Sequence, residues 1–217
     1  KITLSRHALC VVTVLGLGML LNLPAHGEFS LDDDGAGRLT ILENGQPVLV
    51  YNYGWVEPDH GDAEFIQRFR RASYIHPLYG LDGEVMTEDF PEDHPHHRGV
   101  FWTWPEVPVY GERVDFWHVK GHQLFDSWVN REVSGERAYV HVRNGWHVEG
   151  RNEPVIREDV RLTVHAAEGD SRVLDFHLTF TNVSSEMTEL RGRDGASAGY
   201  GGFSLRADRE RPDPQLA

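Results

Sequence analysis

The chain has 217 residues, a formal net charge of −13 and a single cysteine, Cys10. That charge excludes the basic surface that nucleic acid or an anionic membrane demands, and one cysteine excludes a disulfide framework or a zinc–thiolate site. The length suffices for one domain with a substantial core.

Lys1, Arg6 and His7 precede an apolar run over residues 8–23, and Pro24-Ala25-His26-Gly27 places small residues at the cleavage positions. Residues 1–27 therefore read as a secretory signal peptide. Gly16, Gly18 and Asn22 interrupt the run, which is short for a membrane span. The expected product is a periplasmic or secreted bacterial protein, free of the membrane after cleavage, with residues 28–217 forming one domain. Cleavage removes Lys1, Arg6 and Cys10 but no acid, so the mature chain is more acidic still and has no thiol.

Residues 39–42 and 47–51 flank Glu43-Asn44-Gly45-Gln46, where Asn-Gly predicts a tight hairpin. Residues 65–73 can be drawn as a short helix, but Phe69, Tyr74 and Ile75 suit an extended segment better. Further strands are predicted at 125–133, 138–142, 146–149, 155–165 and 173–182. Ser134-Gly135-Glu136-Arg137 and residues 167–171 form the turns. Apolar and polar residues alternate along 160–165 and 174–180, giving each strand one face in the core and one in water or a groove. Many strands without helical crossovers predict an all-β antiparallel sandwich. Residues 209–217 run out without a closing element, so the sandwich is expected to be incomplete at its C-terminal end.

The densest chemistry lies in Asp89-Phe90-Pro91-Glu92-Asp93-His94-Pro95-His96-His97-Arg98-Gly99. If this segment is extended, His94 and His96 share a face and His97 opposes them. Two imidazoles so spaced can chelate one divalent metal ion, with Asp93 or Asp89 as a carboxylate ligand. Alternatively, His96 or His97 with Asp93 forms a general acid/base pair. A stiff loop bonded to its own backbone, with Arg98 pairing an acid, accounts for the same residues.

Asp115-Phe116-Trp117-His118 with Lys120-Gly121-His122 forms a second group, in which Trp117 can stack on a sugar ring and His118 can complete a site. Trp117 in the core of an ordinary strand is the competing account. His76 stands where Pro77 kinks the chain. Trp102 is a further candidate for stacking, and Arg98 and Arg206 for gripping a carboxylate or sugar oxygen. No nucleophile elbow, phosphate loop, dinucleotide fingerprint or metalloprotease helix is present.

Tyr74-Ile75-His76-Pro77-Leu78-Tyr79, the step over residues 83–87, the histidine segment and Tyr200-Gly201-Gly202-Phe203-Ser204-Leu205-Arg206 resemble an exported bacterial family labelled "methane oxygenase PmoA-like". The resemblance covers about residues 38–206. It implies a β-supersandwich of the galactose-mutarotase-like kind, in bacteria rich in polysaccharide-degrading genes, and a chain that continues past residue 206. The mature sequence has no transmembrane segment, so it does not share the build of a membrane monooxygenase subunit.

The leading expectation is a carbohydrate-active hydrolase, lyase or epimerase on a small-molecule or oligosaccharide ligand. His96, His97 and Asp93 would transfer the proton, and Arg98, His76, Trp102, Trp117, His118 and Arg206 would contact substrate. A non-catalytic carbohydrate-binding sandwich is the second expectation. The third is a metal-dependent oxidoreductase with His94 and His96 on one divalent ion.

Overall fold

The structure is a computed structural model that describes residues 27–193 and 200–209. The segment up to residue 26, expected to be a signal peptide, and the C-terminal run from residue 210 lie outside the described residues. The described chain is mostly strand, as the alternation predicts. Antiparallel β1 (Phe29–Asp33), β2 (Arg38–Glu43), β3 (Gln46–Asn52), β4 (Tyr74–Leu78), β5 (Val100–Thr103) and β12 (Gly202–Leu205) form one sheet in that spatial order. The second sheet has the order β11 (Leu174–Asn182), β10 (Ile156–His165), β9 (Arg137–Val148) and β8 (Gly121–Val133). A short hairpin, β6 (Val107–Val109) and β7 (Glu112–Val114), lies between β5 and β8 in the chain.

Asn44 and Gly45 turn the β2–β3 hairpin with φ of 54° and 77°, the conformation for which Asn-Gly is selected. The sheets pack face to face through alternate residues. Leu39, Ile41, Leu49, Ile75, Val100 and Trp102 from the first meet Val140, Val142, Val160, Leu162 and Val164 from the second. Each such aliphatic side chain contributes about 1.5–3 kcal/mol on full burial. β5 is buried on both faces: Trp102 belongs to this core, while Phe101 joins Tyr74 and Trp117 in a separate small cluster.

A polar network crosses the sandwich interior. Strand register sets Asn144 of β9 opposite Glu158 of β10. Asn144 Nδ2 donates to Glu158 Oε2 at 2.8 Å and to the Tyr51 hydroxyl at 3.0 Å, and Trp102 Nε1 donates to Glu158 Oε1. Glu158 has no exposed surface, and burial pushes its carboxyl up to about 7 despite these donors.

Three expectations are corrected. Ala63–Phe69 is a helix, α1, because Asp62 caps it: its carboxylate accepts from Phe65 N at 2.9 Å, and only Phe69 of the helix is buried. Residues 146–148 are not a separate strand but the end of β9, which runs twelve residues without a break. The histidine segment is not extended. His94 N donates to Pro91 O at 3.0 Å and His97 N to His94 O at 2.8 Å, so two turns follow one another.

Candidate functional site

The histidine loop is sewn into the fold at both ends. Glu88 N donates to Arg206 O at 3.0 Å, and Arg206 N donates to Gly99 O at 2.7 Å, tying the loop to the chain beside β12. Gly99 presses on β4: a Cβ there would stand 2.2 Å from the Ile75 carbonyl oxygen, which leaves room for glycine alone. Arg98 has no exposed surface and holds the loop from within. Its Nη1 donates to Pro95 O at 2.7 Å and His97 O at 2.8 Å, its Nη2 donates to Phe69 O at the end of α1, and its guanidinium lies 3.3 Å from the Phe90 ring centre. Asp89 Oδ1 stands 3.5 Å from Arg98 Nε, and the Tyr74 hydroxyl donates to Asp89 Oδ2 at 2.8 Å. Burial raises the Asp89 carboxyl, with Arg98 opposing that rise.

Because the loop turns twice, its three imidazoles meet on one side. Asp93, His94, His96, His97, Trp117, His118 and Tyr200 line a cleft of about 430 Å³. Ring centres are 4.6 Å apart for His96–His97, 4.8 Å for His94–His97 and 4.5 Å for His96–His118. Trp117 stands edge-on to His97 at 5.5 Å and packs on Tyr200 at 5.3 Å. The Tyr74–Phe101–Trp117 cluster supports this wall from below.

Asp93 and Asp115 play different parts. The Asp93 carboxylate accepts from Arg206 Nη2 at 3.0 Å and from Arg209 Nη2, and lies 2.8 Å from His94 Nδ1. These bonds, the one from Arg209 foremost, hold its carboxyl far below the usual carboxylate range. Asp115 sits in the turn between β7 and β8. Its Oδ1 accepts from His118 N at 2.9 Å and its Oδ2 from His118 Nδ1 at 2.8 Å. A carboxylate only accepts, so the Nδ1 proton is fixed toward Asp115 and Nε2 is the other working nitrogen.

Burial pulls His96 down to about 3 and His97 to about 4, and neighbouring positive charge adds to the fall. Both are neutral imidazoles at neutral pH. One such charge is Arg71, buried behind Phe101 with its guanidinium 5.3 Å from that ring. Arg71 Nη2 donates to Phe116 O at 2.7 Å, and Nη1 has no hydrogen-bond partner among the described residues. Among the described residues no group of three His, Cys, Asp or Glu side chains is disposed to hold one metal ion, the His94–His96 pair with its neighbouring carboxylates included.

The structure brings His94, His96, His97, Asp93, Trp117 and His118 to one cleft, with Arg206 clamping Asp93 beside it. His76 lies elsewhere. It lines a groove of about 620 Å³ with Asp32, Asp34, Arg38 and Asp89, and its Nδ1 lies 3.0 Å from Thr87 Oγ1. Arg98 and Trp102, expected to touch substrate, have no exposed surface: Arg98 is spent on backbone carbonyls and Trp102 fills the inter-sheet core. Asp93 was expected to partner His96 or His97, whereas it meets His94 and two arginines. Two histidine–carboxylate pairs at the cleft leave Nε2 over, Asp93–His94 and Asp115–His118; the second is the more buried, and its carboxylate also accepts from His118 N. The residues missed as site members are Asp115, Tyr200 and Arg71. The three-residue spacing of Asp115 and His118 was the available signal for the first.

Residues 38–214 match the model of a family described as a family of unknown function, DUF6807. No curated protein and no solved structure matches the chain.

Proposed function

The chain belongs to the DUF6807 family of unknown function, and from that premise we propose that it is an exported carbohydrate-active enzyme that moves a proton on a sugar held in the histidine cleft. The observation that carries this reading is the Asp115–His118 pair, bonded twice and opening onto the same cleft as Trp117 and Tyr200. With Nδ1 held by Asp115, His118 takes a proton at Nε2, and the carboxylate stabilises the imidazolium that forms. His96 and His97 stay neutral and offer nitrogen donors and acceptors to hydroxyl groups. Trp117 and Tyr200 supply aromatic surface for the C–H face of a sugar ring.

The pair is complete as a proton-transfer unit without further ligands, which favours it over the metal-dependent oxidoreductase reading. The resemblance to the exported PmoA-like proteins, and through them to galactose-mutarotase-like sandwiches, supports the sugar-acting part by analogy of fold. The signal-like residues 1–27 suit a protein delivered to the periplasm or beyond, where oligosaccharide fragments are its partners. No helix among the described residues is long and apolar enough to cross a membrane.

The test is a panel of plant and algal oligosaccharides, with binding followed by calorimetry and turnover by product analysis. Asp115→Asn and His118→Asn are expected to keep binding while turnover falls about 10²–10⁴-fold. Binding without turnover by the unaltered protein would convert the reading to a carbohydrate-binding module. No binding of any oligosaccharide would sink it.

A further inference from the structure

Charge around the cleft runs against the charge of the chain. The protein as a whole is strongly acidic, yet both carboxylates at the cleft are already matched by cations. Asp93 is held by Arg206 and Arg209, which also pair with Glu88 at 2.9 and 3.9 Å, and Asp115 faces Arg193 at 3.6 Å as well as His118. Behind the wall, Arg71 is almost fully buried and, among the described residues, has no carboxylate in ion-pair contact. Among the described residues its hydrogen-bond acceptors are the carbonyls of Phe116 and Trp117. Burial pulls the Arg71 guanidinium down to about 9, with Asp89 and Asp115 opposing from beyond ion-pair contact, and an anion in the cleft opposes it further. Arg193 lies at the rim, its guanidinium 5.2 Å from the Tyr200 ring centre, and nearly half its side chain is exposed.

We propose that the sugar taken by this cleft carries a carboxylate, that is, a uronate residue, and that the proton moved is the one on the carbon bearing that carboxylate. The inference rests on the proton-transfer reading of Asp115–His118. Cationic surroundings draw the ligand carboxylate in and stabilise the extra negative charge it gains as the adjacent carbon loses its proton. The anion in turn offsets the positive charge that adds to burial in keeping His96 and His97 unprotonated. The step balances without any redox partner. His118 Nε2 removes the C5 proton, and the C5–H electron pair becomes the C4=C5 bond. The C4–O bond breaks toward its oxygen, and that oxygen takes back the proton from His118. The products are an unsaturated uronate and a new chain end.

The experiment compares oligogalacturonate, its methyl ester and a neutral galactose oligomer on the full chain, by calorimetry and by the ultraviolet absorbance of the unsaturated product. Expected are binding and an absorbance rise with oligogalacturonate, weaker binding of the ester and the neutral oligomer, and a preference that shrinks with added salt. Arg193→Gln should reduce the preference for acid over ester about tenfold while leaving the affinity for the neutral oligomer unchanged. An Arg193→Gln protein that keeps the full preference overturns the inference. So does uronate binding without unsaturated product. Turnover of the neutral oligomer alone overturns it too, while leaving the sugar-acting reading intact. Binding of none of the three, nor of any other oligosaccharide, removes both.

Discussion

Between the sheets, Glu158 is closed off from water and accepts from Trp102 and Asn144, whereas at the cleft Asp115 and His118 stand partly open with an imidazole nitrogen unspent. Burial acts on both regions and with opposite sign. It pushes Glu158 up to about 7 and pulls His96 and His97 down to about 3 and 4. The interior uses its polar groups to fix register, since Asn144 and Glu158 face each other only in one pairing of β9 with β10. The cleft keeps its imidazoles reachable, and His96 and His97 neutral.

The sharpest way to break this contrast is to delete one titratable side chain from each region. Glu158→Ala strands the Trp102 and Asn144 donors in the core, and a loss of about 3–5 kcal/mol is expected in urea unfolding. His118→Ala removes a side chain from a cleft, and a change under about 1 kcal/mol is expected. Equal losses would dissolve the distinction.

The two regions should also tilt stability against pH in opposite directions. Glu158 has a folded pKa of about 7 against an ordinary 4.5, so its contribution is full below pH 4.5 and is lost as pH rises through about 7. His96 and His97 have folded values of about 3 and 4 against an ordinary 6.5. Between those limits the unfolded chain binds more protons, so their contribution is full above 6.5 and is lost as pH falls. In the overlap the slopes oppose each other. Glu158→Gln should leave stability rising more steeply from about pH 5 to about pH 7, and His96→Asn should make that rise shallower. Urea midpoints for both variants across this range check the assignment; a slope unchanged by Glu158→Gln defeats it.

The smallest effect concerns α1, which touches the loop through the Phe69 carbonyl. Asp62→Ala removes the helix cap and should cost about 1 kcal/mol, with saccharide binding unaltered. If calorimetry shows weakened binding at near-native stability, the helix belongs with the cleft and not with the scaffold.

Legibility in the sequence followed the range of the interactions. The β2–β3 hairpin was readable because Asn44-Gly45 settles its turn within two residues, and β10 and β11 because alternation is a local pattern. The histidine loop was readable as a cluster but not as a shape. Nothing in the run over residues 89–99 says that Arg98 turns inward, since an arginine is ordinarily a surface residue and its acceptors are carbonyls of the loop and of α1. Without that inward turn the segment reads as extended, and His97 falls on the wrong side. Asp115 was passed over as a partner for the same reason. Its bond to His118 is short-range in sequence, but their place at the cleft depends on β5, β8 and the loop meeting in space.

The bonds of Arg98 have a consequence for engineering. The loop over residues 91–98 is shaped from within by a side chain gripping carbonyls of its own segment, and it is anchored outside at Phe69 O and through Asp93 at Arg206 and Arg209. The loop is thus a cassette whose conformation is carried by Arg98 and Gly99, while the identities at 94, 96 and 97 are decoration on a fixed frame. Libraries varying those three positions should keep the frame, whereas lysine at 98, with a point charge in place of the planar fork, should collapse it.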